Sequence, residues 1–295
     1  MLALIGTASP AASYDLEEYL GGAAVAEYSG RRIAMTLFDG ESQAGIFELT
    51  HASQMVVVGS GKEGALIGPG RVSGDTGVMV PVWSQYAKDD RYRILNAEPT
   101  MRLGRMAEVL EVLEDDLVRA RFTFDSLTRI PLVTEIYNSD GTLFRYSAMI
   151  EINAKPDLSY ADMEAMSDSY DVMFPVGNTS MPLDAAGYVR ADTYTGPDGT
   201  VQAFYTDSLF SFSLFEVDVD AHLDRFENAP TIKMNGETYS RIVTPTDIWM
   251  SWKSGDVAYV LIGDLPPDHL VKVLDDLPRP KQRGLFSRLW RSIFD

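Results

Sequence analysis

Imidazole and thiol chemistry have little to work with in this sequence, which holds three histidines (His51, His222 and His269) and no cysteine. The missing thiols exclude disulfide scaffolds, thiolate zinc sites and cysteine nucleophiles. No histidine stands in a G-x-S-x-G or H-E-x-x-H context, so the sequence carries neither a hydrolase elbow nor a zinc-protease helix. A triad can be dispersed along a chain, but nothing in the sequence assembles one. The run Asp218-Val-Asp220-Ala-His222-Leu-Asp224 alternates oxygen and nitrogen donors as a metal loop does. An EF-hand, however, needs Gly at loop position six and Glu at twelve, where Leu223 and Ala229 stand. It reads as a solvated acidic turn. Asp89-Asp90 and Asp115-Asp116 likewise read as turn residues, and no metal or cofactor is expected.

Gly59-Ser-Gly61-Lys-Glu-Gly64 matches G-x-G-x-x-G behind the apolar run Met55–Val58. A dinucleotide site also needs a helix after the loop, to hold the pyrophosphate at its N-terminus. Gly68, Pro69, Gly70 and Gly74 forbid one here, and Glu63 stands where a Walker A loop needs Ser or Thr. Residues 59–77 read instead as a glycine-rich loop, a lid at a cavity mouth.

The elements that must position these residues belong to an ordinary globular chain. It has 295 residues, 45% hydrophobic and 11% aromatic, enough apolar surface for a real core. Its formal net charge is −18, a field that repels phosphate backbones and excludes nucleic acid as a general partner. The charge is uneven. Residues 279–295 hold five cations against Asp295, a net of +4, which leaves −22 on the rest. From Gly284 this tail reads GLFSRLWRSIFD, an apolar stripe at helical spacing with Arg288 and Arg291 off it. Arg288, Trp290, Arg291 and Phe294 are candidate membrane-surface residues of a basic amphipathic helix. The other reading is a terminal helix docked on its own domain. Residues 1–13 resemble the end of a signal peptide without the basic n-region or the full apolar stretch. They are either the remnant of an export signal or an ordinary terminus.

Tyr14–Ala26 has helical propensity, and short β-like runs follow at 32–38, 45–50, 54–58, 78–83 and 91–96. Arg105–Glu114, Leu117–Asp125, Pro131–Asn138 and Thr142–Ile152 read as four strands with loops too short for anything but antiparallel neighbours. Within Leu117–Asp125, alternation predicts Val118, Ala120, Phe122 and Phe124 on one apolar face, with Arg119, Arg121 and Thr123 opposite. A short helix is predicted over 159–170. The expected division is a first domain at 14–170, a Pro/Gly-rich linker at 171–186 and a second domain at 187–278. The second domain has strands at 188–194, 201–205, 210–217, 238–243, 248–252 and 257–262, and a helix at 269–277 opened by Pro266 and Pro267. The fold class is therefore α+β in two units, the first a strongly curved sheet or half-barrel.

Three segments carry a family resemblance: RARFTFDSLTRIPLVTEIYNSDGTLFRYSAMIEI (119–152), FYTDSLFSFSLFE (204–216) and GDLPPDHLVKVLDDLP (263–278). Together they resemble the MucB/RseB family of extracytoplasmic sigma-factor regulatory proteins, over about residues 28–278. The resemblance implies a LolA-like antiparallel half-barrel with helices on its concave face, followed by a smaller α+β domain. It implies a non-enzymatic protein that works outside the cytoplasm. Such a protein binds the exported part of a membrane anti-sigma factor and releases it when a lipid or acyl ligand binds.

Strand alternation and soft side chains make Met35, Leu37, Phe47, Leu49, Val118, Phe122 and Phe124 the candidate cavity residues. Tyr205, Asp207, Phe210 and Phe212 are the candidate partner-docking residues. Phe210 and Phe212 share one face of a run with Phe215 on the other, which fits either a central strand or a strand with a partner. The alternative function is a lipid or lipoprotein carrier without a regulatory partner; a hydrolase with a dispersed site is the weakest reading.

Overall fold

The computed structural model describes residues 26–52, 55–60, 63–67, 91–156, 174–175, 181–196, 199–218 and 224–281. Two antiparallel sheets of nine strands each make up most of it. The first holds β1 (Tyr28–Phe38), β2 (Glu41–Ala52), β3 (Met55–Ser60), β4 (Glu63–Ile67), β5 (Tyr92–Arg102), β6 (Arg105–Glu114), β7 (Leu117–Asp125), β8 (Pro131–Tyr137) and β9 (Leu143–Asn153). Its spatial order is β4-β3-β2-β1-β9-β8-β7-β6-β5, so two meanders meet where β1 pairs β9. The hairpins follow from local chemistry. Asp39-Gly40 and Asp115-Asp116 close two of them with positive φ at both positions, the conformation that Asp and Gly tolerate best. The glycine motif at 59–64 lies within the β3–β4 hairpin, where Gly59 pairs Gly64. A strand follows it, not a phosphate-binding helix, and part of the predicted lid is therefore sheet.

The register sorts the side chains. Thr36 lies opposite Arg145, Arg145 opposite Ile136, Ile136 opposite Ala120 and Ala120 opposite Val112. Opposed residues point to the same side of a sheet, so this row shares an inner face with Phe38, Leu110, Phe122 and Phe124. All are buried. On the outer face Arg121 pairs Glu111 at 2.6 Å and Glu135 at 3.7 Å, within reach of water.

One bulge changes the predicted alternation. Val112 faces Ala120, but Leu113 faces Val118, which leaves Arg119 as the extra residue of β7. A bulge re-aims the side chains around it. Val118 moves to the outer face with Leu113, and Arg119 turns inward, where it is 1% exposed.

The second sheet holds β10 (Phe174–Pro175), β11 (Asp184–Ala185), β12 (Tyr188–Thr195), β13 (Val201–Thr206), β14 (Ser211–Asp218), β15 (Thr231–Met234), β16 (Glu237–Val243), β17 (Ile248–Ser254) and β18 (Val257–Gly263). Its order is β10-β12-β13-β14-β18-β17-β16-β15, with β11 added beside β12. Both β10 and β11 fall in the stretch read as linker. Among the described residues the one α-helix is α1 (Pro267–Asp276), which starts on Pro266-Pro267 and buries His269, Leu270, Val273 and Leu274. Among the described residues the α+β expectation thus becomes two β-sheets with a single short helix. The helices expected on the inner face, at 14–26 and 159–170, fall outside the described residues apart from Ala26 and gain no support. The tail candidates Arg288, Trp290, Arg291 and Phe294 also lie outside them, as does most of the acidic run 218–224. No helix among the described residues is long and apolar enough to cross a membrane.

One core joins the sheets. Phe38, Leu110, Phe122, Phe124 and Phe144 of the first belong to the same buried cluster as Tyr188, Tyr205, Phe210, Phe212, Leu261 and Leu270 of the second. A smaller cluster of Tyr28, Leu49, Ile130, Leu132 and Met149 fills the other end of the first sheet.

Candidate partner and ligand site

Where the sheets meet, arginines of the first face carboxylates of the second. The bulge aims Arg119 at α1, where its Nη2 donates to both oxygens of Asp268 at 2.8 and 3.0 Å, and its Nε lies 3.2 Å from Glu114. His269 continues the chain, with Nε2 2.8 Å from Glu114 and Nδ1 2.7 Å from the Tyr188 hydroxyl. Burial pushes the Glu114 carboxyl up, but the His269 hydrogen bond and the nearby charges of His269, Arg119 and Arg91 leave it below the usual range. Burial raises the Tyr188 phenol well above its ordinary value.

The turn between β13 and β14 supplies a second link. Asp207 accepts the backbone N–H groups of Leu209 and Phe210 through Oδ1, at 3.1 and 2.8 Å. Its Oδ2 accepts Arg91 at 3.0 Å and the Tyr92 hydroxyl at 2.7 Å. One side chain thus closes an Asx turn and grips β5 of the other sheet. Full burial raises the Asp207 carboxyl in spite of these donors. Asp264, just after β18, accepts the Ser211 N–H at 2.7 Å and is pushed up to about 6 by burial, with the Arg145 charge pulling the other way. Arg145 itself is lowered by burial and reaches Thr36 at 3.4 Å. A polar seam of this kind, largely closed to water, specifies how the two sheets pack in this structure.

Beside the seam lies an open cleft of about 500 Å³. The hairpin tips of β1–β2 (Leu37 to Ser42) and β8–β9 (Asn138, Thr142, Leu143, Phe144) form one wall; Ile232 and Met234 of β15 and Pro267 and Val271 of α1 form the other. The volume is that of a small ligand or one bulky peptide side chain with its neighbours. Asp39 and Glu41 mark its edge, each 3.5 Å from Arg241 of β16. Among the described residues no cluster of His, Asp and Glu could hold a metal ion.

The predicted site residues are divided by this geometry. Phe47 and Leu49 share the inner face with Phe122 and Phe124, since Arg32 pairs both Phe47 and Met149 and Gly30 pairs Leu49. Met35 and Leu37 alternate to the opposite face, and Val118 joins them there through the bulge. Phe122 and Phe124 are 1% and 0% exposed and stack at 5.8 Å, so they fill the core instead of lining open space. Leu37 is the one cavity candidate that borders the cleft. Tyr205, Asp207, Phe210 and Phe212 are all buried. Tyr205 stacks on Phe212 at 4.7 Å, and Phe210 packs edge-on to Tyr92 and His269. They hold the junction together and present no free surface. Sequence reasoning missed the seam residues Arg91, Arg119, Arg145 and Asp264. The one signal available was arginine in apolar strands of an acidic chain.

No family model matches the chain, and no curated protein matches it. Solved structures do. A crystal structure of MucB aligns over 90% of this chain and 96% of its own, with 17% identity and a TM-score of 0.59. The fold is that of MucB. The Pseudomonas aeruginosa MucA/MucB complex aligns over 91% of this chain and 100% of the matched one, at 15% identity and a TM-score of 0.52.

Proposed function

We propose that this protein is a non-enzymatic extracytoplasmic regulator that binds the exported segment of a membrane anti-sigma factor in the cleft between its two sheets. The observation that carries this reading is the cleft itself. Its walls come from both sheets, so its shape depends on how they are held, in a fold whose MucB counterpart has been solved together with MucA. A binding event that prefers one arrangement of the sheets alters affinity at the cleft, which is what regulation requires. In this reading Tyr205, Asp207, Phe210 and Phe212 set the arrangement and do not touch the partner.

The cleft's apolar lining, Leu37, Leu143, Ile232, Met234 and Val271, would also accept an acyl chain. That observation supports the second reading, a lipid or lipoprotein carrier. Size-exclusion chromatography of the full chain mixed with the exported segment of an anti-sigma factor from the same organism separates the two. A stable complex is expected. Lipid transfer between vesicles without any protein complex would favour the carrier.

A further inference from the structure

The second sheet ends in an edge that borders the cleft. β15 pairs β16 on one side and, among the described residues, no strand on the other. Asn235-Gly236 closes their hairpin with two residues, so Met234 and Glu237 form a hydrogen-bonded pair, and such pairs recur at every second residue. Ile232 therefore turns its N–H and C=O toward β16. Pro230 follows the same phase, its carbonyl accepting the Arg241 N–H at 2.8 Å. Thr231 and Lys233 are left with both backbone groups aimed away from the sheet. Edge groups of this kind are a template for a further strand.

The surroundings say what such a strand would be. Side chains opposed across a ladder share a face, and Ile232 and Met234 line the cleft. Every second side chain of an added strand would thus enter the cleft beside them, toward Leu37, Leu143 and Val271. Those side chains must be apolar. At the mouth stand the exposed Asp39 and the half-buried Glu41, two carboxylates to the one guanidinium of Arg241. On a chain of net −18 they favour a cationic neighbour. A second copy of this chain is a poor occupant. Both copies would carry the same −18, and Pro230 and Lys233 blunt the edge against its own kind.

We infer that β15 takes up an extended segment of the partner as an added strand, with apolar side chains at alternate positions and a basic residue toward Asp39 and Glu41. The inference rests on the cleft being the partner's site, and the test separates the two. The full chain is titrated, by anisotropy, with the labelled exported segment of the anti-sigma factor from the same organism. Lys233→Pro removes one outward N–H and leaves the β16 ladder intact, since proline is tolerated at such an edge position. It should weaken binding about tenfold. Lys233→Ala, which keeps the N–H, should stay within about twofold of the wild type. A second measurement needs no protein variant: N-methylation along the segment should weaken binding at two alternate backbone positions and spare the one between them. Asp39→Asn with Glu41→Gln should make binding less sensitive to salt. Equal affinity for Lys233→Pro and the wild type while Ile232→Arg binds weakly, or tolerance of N-methylation throughout, overturns strand addition and leaves the cleft reading standing. Equal affinity for all three proteins overturns both. Equal losses for Lys233→Pro and Lys233→Ala, or an unchanged salt dependence, also overturn the inference. So does a concentration-dependent dimer that competes with the segment, which would assign the edge to a second copy.

Discussion

Replacing Arg119 with Met should loosen the junction without hollowing the core, because Met roughly fills the aliphatic path and lacks only the charge. Breaking a fully buried ion pair costs about 3–5 kcal/mol, since the abandoned partner keeps its desolvation penalty. Here Arg119 is 1% exposed but its partners Glu114 and Asp268 are 15% and 23% exposed, so water recovers part of that penalty. His269 also stays on Glu114. The expected loss is therefore about 2–3 kcal/mol, or roughly 3–5 °C in Tm for a chain of 295 residues. Urea unfolding followed by the fluorescence of Trp249 and Trp252, which both lie in β17, measures it. The pairing with Asp268 makes a further demand. In a cycle of Arg119→Met, Asp268→Asn and the double variant, coupling should exceed about 1 kcal/mol. A loss under about 0.5 kcal/mol, or strict additivity, would refute the claim that the bulge at Arg119 locks α1 to the first sheet.

The remaining predictions probe the same junction. Asp264 titrates at about 6 when folded against 3.8 as its ordinary value. Its preference for the protonated folded state is thus fully present below about pH 4 and lost above about pH 6, a swing of about 3 kcal/mol. Relative to Asp264→Asn, the wild type should gain that stability as pH falls from 7 to 4; a pH-independent difference would contradict the burial argument. Gly263→Ala would place a Cβ 2.6 Å from Phe212 Cβ and 2.8 Å from the Ser211 carbonyl. Neither backbone can yield cheaply, and a loss of about 2–3 kcal/mol in urea titrations is expected. Phe122→Ala should cost about 3–5 kcal/mol because the ring is 1% exposed within the shared core. A loss below about 1 kcal/mol would mean that Phe122 lines open space after all.

The β-meander of β6 to β9 was legible because its turns are written in Asp, Asn and Gly between alternating runs. The bulge was not. An extra residue leaves the composition of β7 unchanged and reveals itself only in its pairing, so Arg119 and Val118 were placed on the wrong faces. The aromatic run of β13 and β14 was visible, but a surface and a central strand look alike when both faces are apolar; pairing with β12 and β18 decides it. β15 escaped because four residues with Lys233 at an edge carry no periodic signal. The seam partners are separated by more than 100 positions in the pairs Arg91–Asp207 and Arg119–Asp268, a distance across which a single sequence shows no coupling.

The central claim places an anti-sigma segment in the cleft. Ile232 borders it from the edge strand β15, where an arginine can be added without emptying the core. Fluorescence anisotropy of the labelled exported segment, titrated with wild type and with Ile232→Arg, tests the claim most directly. The account predicts saturable binding by the wild type and a Kd at least tenfold weaker for the variant, at about 1.4 kcal/mol per tenfold. Equal affinity for the two proteins, with both folded, would contradict it.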